Sequence, residues 1–133
     1  MNKKVLAATR RAYGDSQQFP DTIEGNLKQN KAFAARNLNF RAPAPVSVTD
    51  AVEIMRVALC VPSTEMEAYN NFKPAHLGML PECSKVILAR EGSVCVYVKL
   101  PKDFKTVDAR TLRYMMVDEC HPQKDGTVRL WWD

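Results

Sequence analysis

The chain has 133 residues, of which 46% are hydrophobic and 26% charged, and its net charge is +4. That length supports one hydrophobic core and excludes two independent catalytic domains, while the composition excludes a low-complexity or collagen-like chain. No apolar run approaches the ~20 residues of a membrane-spanning helix, the most apolar windows being the short stretches 57–61 and 94–98.

Residues 1–14 carry Lys3, Lys4, Arg10 and Arg11 and no acid, a charge pattern shared with transit peptides. The apolar stretch 5–8 is too short for the core of a secretory signal, so a secreted destination is not expected. The spacing predicts a short basic helix over 1–13, marginal by itself, with Val5, Leu6 and Tyr13 as its apolar residues. A polar stretch, 14–20, leads to a second predicted helix over 21–37, with Asp21 as cap and Glu24 in the reciprocal position. Its apolar residues Ile23, Leu27, Phe33 and Ala34 are sparse, so it needs a surface to dock on.

Pro43 and Pro45 alternate in the segment 41–45, which forbids a helix there and suggests a junction. The expected division is a basic arm, 1–45, and a compact domain, 46–133. Charge divides at the same place. The arm holds Lys3, Lys4, Arg10, Arg11, Lys28, Lys31, Arg36 and Arg41 against Asp15, Asp21 and Glu24, a net +5, whereas residues 46–133 hold 11 basic and 12 acidic residues. Such segregation attracts polyanions and is screened by salt; a solvated tail would carry the same charge for solubility.

In the domain, Ser47 to Asp50 offers caps for a buried helix over 50–60, which Pro62 ends. A shorter helix is expected from Ser63 until Pro74, then a loop over 75–84. Residues 85–90 and 94–100 read as strands joined by Glu91-Gly92-Ser93, with Val94, Val96, Val98 and Leu100 facing helices and Cys95, Tyr97 and Lys99 on a half-solvated face. Leu112, Tyr114 and Met116 alternate as in a strand, but a helix over 106–117 capped by Thr106 is the preferred reading. A polar loop over 118–126 precedes a last strand over 127–132, with Val128, Leu130 and Trp132 on one side and Arg129 and Trp131 on the other. The expected fold class is α+β: a small antiparallel sheet of two to three strands covered by helices, with a basic, partly helical N-terminal arm.

No phosphate loop, nucleophile elbow, HExxH, EF-hand or dinucleotide fingerprint is present. The densest polar cluster is Asp118-Glu119-Cys120-His121. It would make Cys120 a nucleophile if the His121 imidazole faced the thiol, and otherwise Cys120 fills an apolar gap. A zinc site would draw on Cys60, Cys83, Cys95, Cys120, His76 and His121, none of which forms a CxxC pair, so neither metal nor cofactor is expected. Without a secretory signal the four cysteines are expected as free thiols in a reducing, cytoplasmic setting.

Two helices followed by a hairpin match the element order of a winged-helix DNA-binding protein in outline. The would-be recognition helix, however, presents Glu65 and Glu67 to the phosphates, leaving Lys85, Arg90 and Lys99 on the hairpin as the basic residues. Trp131 and Trp132 alternate across the last strand, so one of them must leave the core, which makes Trp131 a candidate interface anchor. The leading expectation is a non-enzymatic interaction protein, a subunit or accessory factor of a larger complex or homo-oligomer. It would dock on nucleic acid or an acidic protein surface through its arm cations and Trp131, without a membrane. The alternatives are a small cysteine enzyme using Cys120 and His121, and a winged-helix-like DNA binder.

Overall fold

A computed structural model of the chain describes residues 39–42, 44–58 and 72–133. In chain order it contains β1 (Asn39–Arg41), β2 (Val46–Ser47), α1 (Val48–Ala58), a 3-10 helix (Pro74–Met79), β3 (Lys85–Glu91), β4 (Ser93–Lys99), α2 (Ala109–Tyr114), β5 (Glu119–Pro122) and β6 (Val128–Trp131). The six strands fill five positions of one antiparallel sheet in the order β1, β3, β4, β6, β5, and β2 lies beyond β1 on the same edge of β3. The class is α+β, with a wider sheet than the two to three strands expected.

The β3–β4 hairpin is the centre of that sheet. Its register runs from Lys85↔Lys99 to Glu91↔Ser93, and Gly92 closes the turn at φ +71, a left-handed conformation that glycine takes without steric cost. Pairing of Val96 with Leu130 and of Val98 with Val128 then fixes β6 on the far side of β4. Because side chains alternate along a strand, this register brings Val86, Leu88, Val94, Val96, Val98, Val128, Leu130 and Trp132 onto one face. None of them is more than 2% exposed.

Helices cover this face. The Ser47 hydroxyl accepts the Asp50 N–H at 3.1 Å, which starts α1 two residues earlier than predicted. Ala51, Ile54 and Met55, spaced on one stripe, are buried in the same core as the sheet. Where a loop was expected, Pro74 opens the 3-10 helix, its fixed φ suiting the first helical position, and Leu77 of that helix is fully buried. The Trp132 ring meets Phe72 edge to face at 4.7 Å between centroids, and its indole N–H donates to the Met115 carbonyl at 2.8 Å. That pair fastens the C-terminal strand to the covering layer.

Two further expectations are corrected. The helix at 106–117 is shorter and is capped by Asp108, whose carboxylate accepts both the Thr111 N–H and its hydroxyl, at 2.8 and 2.9 Å. The loop at 118–126 contains β5, held on β6 by the sheet register and by the Gln123 N–H to the Thr127 carbonyl at 2.8 Å. An edge strand needs apolar residues on only one side and for only a few positions, so β5 leaves almost no periodic signal.

The sheet also crosses the junction expected at Pro45. Arg41 pairs with Ala89 and Val46 with Val86, so four chain residues stand against two on β3, and the ladder is interrupted there rather than ended. The predicted helices over 1–13 and 21–37, the helix from Ser63, Cys60 and every arm cation except Arg41 lie outside the described residues. No helix among the described residues is long and apolar enough to cross a membrane.

Candidate functional site

The second face of the sheet concentrates the charged chemistry of the described residues. Residues of odd number on β3, β4, β5 and β6 share it, which aligns Glu91, Cys95, Tyr97, Glu119, His121, Arg129 and Trp131, while Arg41 joins from β1 opposite Ala89. Charges far apart in sequence therefore meet only through strand register.

Glu91 is the hub. One of its carboxylate oxygens accepts the Tyr97 hydroxyl, and the other accepts Arg129 Nε at 2.6 Å. Arg129 extends Nη1 to Glu119 Oε1 at 3.4 Å, and His121 Nε2 lies 3.3 Å from that same oxygen. Over the opposite part of the face, the Arg41 guanidinium stacks 4.2 Å from the Tyr97 ring centroid and reaches Asp125 Oδ2 at 3.2 Å. Trp131 is drawn down as well, its indole N–H donating to the Glu91 carbonyl at 2.9 Å.

This covering buries the middle of the face, while Lys99 on the same strand stays exposed. Tyr97 is 8% exposed and Cys95 fully buried beneath the network. Burial, and secondarily the Glu91 charge, pushes the Cys95 thiol up to about 12. Burial and the hydrogen bond to Glu91 likewise push the Tyr97 hydroxyl up to about 12. Burial alone would raise Glu91, but the hydrogen bonds from Tyr97 and Arg129 and the charges of Arg129 and Arg41 outweigh it and hold the carboxyl below its ordinary value. The resulting state has an ionised Glu91, a protonated Tyr97 and a thiol kept neutral.

Chemically this is a closed set of ion pairs, in which each donor already has an acceptor. It makes a polar surface that leaves neither a thiolate nor a free base at its centre. The Cys120–His121 proposal fails on geometry, since the two are consecutive on β5 and point to opposite faces of the sheet. Cys120 packs half-buried against the core, and burial raises its thiol, the reverse of what a nucleophile needs. Its neighbour His121 is exposed and belongs to Glu119. Among the described residues no three His, Cys, Asp or Glu side chains are placed to hold a metal ion.

Of the winged-helix outline, the would-be recognition helix from Ser63 lies outside the described residues and only the hairpin can be placed. A wing is a peripheral hairpin, whereas β3 and β4 are inner strands of this sheet, flanked by β1 and β6. Of the arm cations, Arg41 is taken up internally by Tyr97 and Asp125. Glu91, Tyr97 and Arg129 were missed as site residues by sequence reasoning, and Glu119 was noted only as a neighbour of Cys120; their signal, polar residues alternating with the apolar face, becomes readable only once β4 and β6 are paired. The fold and this face define an α+β protein with an ion-paired second sheet surface, and no protein-family model, curated protein or solved structure matches the chain.

Proposed function

We propose that the chain is a non-enzymatic interaction protein, a subunit or accessory factor of a larger assembly, which docks on an anionic partner through its basic N-terminal segment. The observation that carries this reading is charge segregation. With Arg41 engaged by Asp125, the docking charge falls to Lys3, Lys4, Arg10, Arg11, Lys28, Lys31 and Arg36, faced in the same segment only by Asp15, Asp21 and Glu24. A cationic segment joined to a near-neutral body raises the local concentration of polyanions and speeds encounter.

Pairing of β1 with β3 supports the reading by joining the segment to the sheet. Trp131 is half-buried with its indole N–H already used, which favours a packing role for it over an interface anchor. Among the described residues Cys83, Cys95 and Cys120 are free thiols, which fits the reducing, cytoplasmic setting that belongs to this reading.

Salt titration tests the proposal, using the full chain with a labelled single-stranded oligonucleotide and with poly-glutamate. Binding to at least one probe should weaken steeply with salt. Replacing the seven cations by Gln should flatten the logarithmic salt slope by up to about 5 for the oligonucleotide. Unchanged binding of both probes by the seven-site variant would overturn the proposal.

A further inference from the structure

Not all charge in the described residues is balanced. At the end of the central hairpin away from its turn, Lys85 stands directly opposite Lys99. Like charges placed opposite one another on neighbouring strands destabilise a sheet, so folding gives no reason for this pair. Both side chains are exposed, and neither has an ion-pair partner among the described residues.

The chain leaving β4 enlarges the patch. A turn closed by the Phe104 N–H on the Pro101 carbonyl, at 2.9 Å, carries Lys102 and Lys105, both exposed and without an ion-pair partner among the described residues. Between them the Phe104 ring is 50% exposed. The acids close by in sequence, Glu82 and Asp103, form no ion pair with these lysines, and Asp125 at the neighbouring turn is occupied by Arg41 and Thr127.

We propose that this rim, formed by Lys85, Lys99, Lys102, Lys105 and Phe104, binds single-stranded nucleic acid. The ammonium groups take phosphates, releasing counterions, and the exposed ring offers a stacking platform that any unpaired base can use. A duplex hides its base faces, and a run of Asp and Glu side chains offers carboxylates without a flat ring, so the aromatic residue between two lysines favours the single strand. The proposal uses residues outside the N-terminal segment and does not depend on it.

The experiment uses the full chain with the seven arm cations replaced by Gln, so that only the body contributes, and follows the anisotropy of a labelled oligo(dT) across a salt series. Binding should persist. Lys85→Gln, Lys99→Gln, Lys102→Gln and Lys105→Gln together should flatten the salt slope by up to about 3. Phe104→Ala should weaken binding roughly 5- to 150-fold with the slope unchanged, and Phe104→Leu, which keeps apolar bulk without the ring, should behave like Phe104→Ala. Thermal melts of these exposed-site variants control for folding. The proposal is overturned if the arm-neutralised chain fails to bind oligo(dT), or if the rim variants bind as their parent does. Poly-glutamate competing as well as oligo(dT), with Phe104→Ala silent, would overturn it in favour of an acidic protein surface. Since the seven-site variant is compared separately with the native chain, a failure of the N-terminal docking proposal is read independently.

Discussion

Arg41 lies with its guanidinium 4.2 Å from the centre of the Tyr97 ring while its Nη2 reaches Asp125 at 3.2 Å, so one side chain from the edge strand spans the sheet face to the turn before β6. Tyr97 in turn donates to Glu91, and Glu91 holds Arg129. The edge, the centre and the far strands are thereby linked by side chains as well as by backbone.

Arg41→Ala should cost about 1 kcal/mol in urea unfolding, the value of a cation–π contact at a partly exposed site, because the stacking is lost and the ring beneath is opened to water. Arg41→Lys should recover less than half of that, since an ammonium lacks the planar group that covers the ring. A neutral result for Arg41→Ala would mean that the stacking does not hold in solution.

Trp132 carries a larger share of stability. Its fully buried ring packs on Phe72, so Trp132→Ala should destabilise by about 3–5 kcal/mol. Trp132→Phe should cost less, about 1–3 kcal/mol, chiefly because it strips the indole donor from the buried Met115 carbonyl. Chemical denaturation of both variants measures the difference, and a Trp132→Phe variant as stable as the native chain would show that the hydrogen bond contributes nothing.

Alkaline conditions should loosen the protein in a defined window. Cys95 and Tyr97 are raised to about 12 from the ordinary values 9.0 and 10.0, so the unfolded chain loses both protons first. Stability from each group is complete below its ordinary value and is lost as pH rises toward about 12. Cys95→Ala should remove the part of the decline that begins near 9.0, and Tyr97→Phe the part that begins near 10.0. Denaturation midpoints across that range provide the check.

Thiol labelling separates a packing role for Cys120 from a catalytic one. With iodoacetamide at neutral pH, peptide-resolved mass spectrometry should find exposed Cys83 modified first, half-buried Cys120 more slowly, and buried Cys95 only after unfolding. His121→Ala should leave the Cys120 rate unaltered, because the imidazole lies on the other face of β5. A Cys120 rate exceeding that of Cys83, and falling in His121→Ala, would restore the enzyme reading.

Much of the fold was legible in local chemistry. Alternation in 94–98 and 128–132, Gly92 between two strand-like runs, and Ser47 ahead of an apolar stripe are short-range patterns, and each marks the element found there. The sequence alone also determined the charge segregation, which no fold can alter. What remained hidden depends on partners distant in the chain. β1 and β2 have little pattern of their own and exist because β3 offers an unpaired edge; β5 exists because β6 does. The network of Arg41, Glu91, Tyr97 and Arg129, and the opposition of Lys85 to Lys99, follow from register, and a shift of one residue would have turned each of these side chains to the other face. Tertiary structure likewise parted Cys120 from His121, because consecutive residues of a strand point in opposite directions however close they stand in the sequence.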